Sequence, residues 1–109
     1  MIEMREATFL ILTALAGEAR HGYGIIQDAA QLSGGRVSLL PGTLYSALDR
    51  LVAQGLVEFD REEVIDGRLR RYYRLCADGR TELASQTARL RGLVSAAEPR
   101  LRNLRPNVA

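Results

Sequence analysis

This 109-residue sequence has a single histidine and a single cysteine. His21 and Cys76 together fall short of a metal-ligand set. No glycine-rich phosphate loop accompanies them, so neither an enzyme nor a bound cofactor is expected. A lone cysteine excludes an internal disulfide and fits a reducing compartment. Tryptophan is absent, so a flat aromatic ligand would have to stack on Phe or Tyr. No apolar run approaches the length that spans a bilayer. The start, Met1-Ile-Glu-Met-Arg-Glu6, lacks a signal-peptide pattern, which makes the cytoplasm the expected address. Lysine is also missing: all 15 basic residues are arginines. Genome composition alone can produce that bias, although arginine is also the better bidentate ligand for phosphates and bases.

What is present is ordinary in bulk and uneven in detail. A hydrophobic fraction of 47% and a charged fraction of 26% describe a globular chain of one domain. The net charge of +2 hides an asymmetry. Residues 1–60 hold four Arg against seven acids, for −3, and residues 61–109 hold eleven Arg against six, for +5.

Periodicity divides the chain into a short series of elements. Residues 4–17 read as a helix whose Phe9, Leu10, Ile11, Leu12 and Leu15 cover nearly the whole circumference. Such a helix must be buried on more than one side, either as the central core helix or beneath a second protomer. Glu18–Gly22 reads as a turn. A second helix follows from Gly22 to Leu32, burying Ile25, Ile26 and Ala29, and Ser33-Gly-Gly35 stops it.

Pro41–Gln54 reads as a third helix with two unlike faces. Leu44, Leu48, Leu51 and Val52 fall on one side. The opposite side carries Gly42, Thr43, Ser46 and Arg50, without the long charged residues of an ordinary solvated face. Such low relief suits a groove, and the DNA major groove is wide enough to admit a helix.

After Gly55 the period changes from helix to strand. Leu56–Ile65 and Leu69–Leu75 flank Asp66-Gly67, a strong two-residue hairpin signal. A tight turn there sets Glu63 against Arg70 and Glu62 against Arg71, whereas a wider loop would alter the register. Val57, Phe59, Tyr73 and Leu75 are the expected core residues of the hairpin. Arg68, Arg70, Tyr72 and Arg74 alternate along its other face. If Arg70 and Arg71 only pair with Glu63 and Glu62, Arg68 is the cation left free. A last helix begins near Ala77, where Leu83, Leu90, Ala97 and Leu104 repeat every seven residues beside Val94 and Leu101. Heptads predict a seam against another helix, broken or restarted at Pro99, with a frayed tail beyond Arg105-Pro106.

The expected fold is therefore mainly α with a small antiparallel β-hairpin. It is a winged helix-turn-helix over 1–76, followed by a C-terminal dimerisation helix and tail over 77–109. His21-Gly-Tyr-Gly-Ile-Ile26, Pro41-Gly-Thr-Leu-Tyr45, Ala47-Leu-Asp-Arg-Leu51, Gly55-Leu-Val57 and Gly67-Arg-Leu-Arg-Arg-Tyr-Tyr-Arg-Leu75 carry a resemblance. In that order they resemble the PadR-family transcriptional regulators over residues 5 to about 95. The resemblance implies a homodimer that binds operator DNA, usually a repressor released by a small-molecule effector. It places DNA contacts on Tyr23, Pro41, Gly42, Thr43, Tyr45, Ser46, Arg68 and Arg70, to which the helical wheel adds Arg50. Tyr45 and Tyr23 are each read either as DNA contacts or as core. The implied dimer interface joins the first and last helices through Phe9, Leu12, Leu83, Leu90, Val94 and Ala97. Leu40 and Cys76 stand where the family favours small polar residues able to cap the third and last helices. Cys76 is read as a capping-site or core thiol in preference to a redox sensor. The rival reading is a winged-helix protein–protein interaction module that has lost DNA binding, which would show apolar residues on the outer face of the third helix.

Overall fold

The computed structural model of the chain describes residues 4–103. Seven elements follow one another: α1 (Glu6–Gly17), β1 (Arg20–His21), α2 (Gly22–Leu32), α3 (Pro41–Ala53), β2 (Val57–Ile65), β3 (Arg68–Leu75) and α4 (Ala77–Arg102). The strands form one antiparallel sheet in the order β1-β3-β2. Glu18–Gly22 is thus more than the expected turn. Arg20 and His21 pair with Tyr73 and Tyr72, adding a third strand to the hairpin. Two residues are too few to leave a periodic signal, so only the partner strand reveals them.

α1 is the core of the molecule. Leu10, Ile11, Leu12, Ala14 and Leu15 are buried on it, packed with Ile25 and Ala29 of α2, Leu44, Leu48 and Leu51 of α3, and Val57, Tyr73 and Leu75 of the sheet. Leu12 is fully buried inside the chain. It has no surface to offer a partner, and in this it departs from the rest of the expected interface set. Arg20 fastens the far end of α1, its Nε donating to the Ala14 carbonyl at 2.8 Å, where a cation also complements the helix dipole.

The helix ends follow their local chemistry. Pro41 opens α3 at a position where its missing N–H costs nothing. Leu40 before it makes no side-chain cap, and neither does Cys76 before α4. Gly55, at φ 75°, closes α3. There the Leu56 N–H donates to the Leu51 carbonyl and the Gly55 N–H to the Val52 carbonyl. This is the paired-bond stop that a left-handed residue permits.

The hairpin keeps the expected register at its tip, with Glu63 opposite Arg70 and Glu62 opposite Arg71. Asp66 and Gly67 both adopt positive φ, 51° and 76°, as a tight turn of the right twist requires. A bulge between Phe59 and Arg61 interrupts the pairing nearer the base. Phe59 is therefore not a core residue. It is 44% exposed, edge-on to Tyr73 at 6.4 Å with the Arg71 guanidinium 5.1 Å over its ring. The buried hairpin residues are Val57, Tyr73 and Leu75, all at the base of the hairpin.

α4 runs unbroken for 26 residues, about 39 Å, and Pro99 neither ends nor restarts it. Every residue from 91 to 103 is exposed, so the carbonyl that loses Pro99's amide is open to water. Leu104, Arg105 and Pro106, part of the expected heptad and tail, lie outside the described residues. Leu83 is half-buried against the core, whereas Leu90, Leu93, Val94 and Leu101 are exposed. Among the described residues no helix is long and apolar enough to cross a membrane.

Candidate nucleic-acid interface

α3 buries Leu44, Ala47, Leu48 and Leu51 and turns the rest of its surface outward. At 100° per residue, Gly42, Ser46, Asp49 and Ala53 form the stripe opposite the core, and all four are exposed. Thr43 and Arg50 lie on the flank towards α1. There Arg50 Nη2 donates to Thr8 Oγ1 at 3.1 Å. Tyr45 and Val52 lie on the other flank and are each 42% exposed.

The two contested tyrosines belong neither to the core nor to open solvent. A Cβ on Gly22 would collide with the Tyr45 hydroxyl and come within 2.9 Å of its Cζ. A larger residue at the start of α2 would push that ring aside. Tyr45 thus rests its tip on α2 and keeps one edge exposed. Tyr23, at 53% exposure, stands one residue further along, with the Arg70 guanidinium 5.8 Å from its ring centroid.

The wing separates its arginines into neutralised and available ones. Arg61 reaches Glu63 and Asp60, both at 2.6 Å, and lies 4.1 Å over the Tyr72 ring. Arg74 reaches Glu58 at 2.5 Å and Asp60 at 3.8 Å. Arg71 approaches Glu62 at 3.9 Å. Cross-strand pairing therefore accounts for Arg71 but not for Arg70, because Glu63 is taken by Arg61. Among the described residues, Arg68 and Arg70 have no acidic partner. Exposed Val64, Ile65 and Leu69 surround Arg68 at the tip.

His21 ties these parts together. Its Nδ1 accepts the Gly24 N–H at 3.2 Å and caps α2, and its ring stands edge-on to Tyr72 at 5.3 Å. Partial burial, and then the charge of Arg70, hold its pKa below the usual imidazole value. Burial likewise pushes the Cys76 thiol up, the opposite of what an activated thiolate needs.

The fold thus gathers Gly42, Thr43, Ser46 and Tyr45 on one surface, with Tyr23 and Arg70 beside each other at its wing side and Arg68 at the wing tip. Pro41 is exposed at the leading end of α3. Arg50 faces α1 and not the wing. Three features escaped the sequence reading. Asp49 sits on the same wheel stripe as Gly42 and Ser46, and the wheel alone could have found it. The seat Gly22 gives Tyr45 and the cap made by His21 depend on contacts between elements, which no spacing announces.

A model of the transcriptional regulator PadR-like family matches residues 11–85. A transcriptional regulator of Mycobacterium tuberculosis is 41% identical over 83 residues, spanning 76% of this chain and 74% of that protein. A PadR family transcription regulator from Clostridium difficile superposes with a TM-score of 0.71 at 24% identity, over 89% of this chain and 99% of that one. Bacillus subtilis PadR, solved in complex with operator DNA, superposes at 0.64 and 24% identity, over 74% of this chain and 46% of that one. At such identities the two solved structures establish a shared fold.

Proposed function

Because this chain belongs to the PadR-like family of transcriptional regulators, we propose that it is a sequence-specific DNA-binding repressor, dimeric and released by a small-molecule effector. The observation that carries the reading is the pairing of a low, exposed α3 face with two wing arginines left without acids. Gly42, Thr43 and Ser46 let α3 approach base edges closely in a major groove. Arg68 and Arg70 can give their charge to the backbone, or to a narrow minor groove with its enhanced negative potential. A protein-interaction module would carry apolar residues on that outer face, and the stripe Gly42, Ser46, Asp49 and Ala53 carries none larger than Ala53, with Val52 exposed only on the flank. Bacillus subtilis PadR, bound to operator DNA, supports the reading by analogy of fold.

The exposed stripe Leu90, Val94, Ala97 and Leu101 of α4, with half-buried Phe9 of α1, supplies the apolar surface for a second protomer. Residues 77–103 then act as the dimerisation helix and residues 4–76 as the DNA-binding part. Two copies of α3 meet half-sites about one helical turn, or a multiple of it, apart. An effector acts by altering that spacing.

Electrophoretic mobility shift on the region upstream of the protein's own gene tests the reading. A salt-sensitive shift is expected, and Arg68→Ala should flatten the salt slope by about one unit for a lost phosphate contact. No salt-sensitive shift on any upstream fragment would sink it.

A further inference from the structure

We propose that Arg5 and Arg50 form a phosphate clamp that grips the DNA backbone along the flank of α3 facing away from the wing. The proposal rests on the reading above, in which α3 lies in a groove of duplex DNA. A helix with its side chains is about 10–12 Å across, and the major groove is about 12 Å wide. A seated α3 therefore has a phosphate-bearing strand along each flank. Arg68 and Arg70 serve the flank towards the wing.

On the other flank, Arg5, Thr8 and Arg50 share the wall of the groove that exposes Gly42, Thr43 and Ser46. Both arginines are exposed. Neither has an acidic partner among the described residues. The nearest acid in sequence, Glu6, is occupied by Arg36. Glu82, which lines the adjoining recess with both arginines, accepts from Gln86 Nε2 at 3.1 Å. Arg50 is instead held by a neutral hydroxyl, Thr8 Oγ1. That bond orients the guanidinium without spending its charge, the condition a bidentate phosphate ligand needs. Thr8 is then a positioning residue, acting through Arg50.

The test uses the full chain and a random-sequence duplex, so the operator need not be known. Binding is followed by fluorescence anisotropy across a salt series, with circular dichroism to verify folding of each variant. Arg5→Ala and Arg50→Ala should each weaken binding several-fold and reduce the slope of log K against log salt by about 0.9 for each protomer engaged. Thr8→Val should weaken binding in the same direction but add nothing to Arg50→Ala, and Thr8→Ser should restore it. Slopes unchanged in both arginine variants, alongside a reduced slope in Arg68→Ala, would overturn the clamp while leaving DNA binding intact. Absence of salt-sensitive binding by the unaltered chain would remove the premise itself. A melting temperature raised by inorganic phosphate in the unaltered chain but not in Arg5→Ala, with an unchanged DNA slope, would assign the pair to a free anion and also overturn the clamp.

Discussion

The imidazole of His21 caps α2 only while its Nδ1 is unprotonated, since a protonated nitrogen cannot accept the Gly24 amide. Burial and the neighbouring Arg70 lower its pKa in the folded chain. The unfolded chain, titrating near the ordinary value of about 6.5, then binds the proton more readily. Stability therefore rises with pH across this window and is lost as pH falls through about 6.5 towards the lower folded value. His21→Asn keeps a capping acceptor without a titration. Its denaturation midpoint should fall less than that of the unaltered chain between about pH 7.5 and 5.5, and equal falls would refute the linkage.

Gly79 makes the opposite kind of demand, one of space. A Cβ there would collide with the backbone carbonyl of Leu56 and come within 2.6 Å of Leu75 Cδ1. That carbonyl is already fixed by the Cys76 N–H at 2.9 Å. Gly79→Ala gains about 1 kcal/mol of helix propensity but overpacks a junction that cannot yield. A net loss on the order of 1–2 kcal/mol in chemical denaturation is expected, and a gain would show the junction to be soft. Neither residue could be ranked from sequence, because each matters through an atom belonging to another element.

At the scale of elements, α3 shows how much one stretch of sequence can disclose. Pro41, Gly55 and the 3.6-residue spacing of its leucines gave its bounds and most of its buried face, although Val52, expected on that side, is 42% exposed and Ala47 is buried there instead. The same wheel places Asp49 on the outward stripe, exposed and without an ion pair among the described residues. A carboxylate beside DNA repels phosphates and tolerates only a donor such as a cytosine amino group. Asp49→Asn should therefore raise affinity for random-sequence duplex several-fold and narrow the gap to the operator, as read by competition binding. A fall in operator affinity alone would identify Asp49 as a base contact.

The hairpin was legible at its tip, where Asp66-Gly67 fixes the turn. It was not legible at its base. The bulge that turns Phe59 out and the pairing of β1 with β3 are choices of tertiary packing. Pro99 misled for a related reason, since its cost depends on whether the freed carbonyl meets water or a dry core.

At the scale of the molecule, the described residues close with a helix whose distal half, residues 91–103, is exposed throughout. The long axis is 62 Å against 27 and 21 Å across. An exposed row of Leu90, Leu93, Val94 and Leu101 costs solubility unless a second helix covers it. On the proposed dimer, Val94→Asp should shift sedimentation from dimer to monomer and weaken operator binding, because the two half-site contacts are no longer linked. A dimer unaffected by that change would place the interface elsewhere. Leu12 makes the complementary point: it is apolar, at helical spacing and wholly committed to the core.

Local sequence was enough for the number and type of the long elements, their order and the turn at the wing tip. It also determined the low face of α3 and the surplus of arginine beyond residue 60. These are local or periodic properties, written within a few residues of where they act. Tertiary packing chose which arginines meet acids: Arg61, Arg71 and Arg74 do, while Arg5, Arg50, Arg68 and Arg70 have none among the described residues. It also decided that Tyr45 rests on Gly22, that His21 caps one element while touching another, and that α4 runs on past its proline. The physical reason is common to all of these. Each is settled by the distance between atoms far apart in the chain, and periodicity carries no information about that distance.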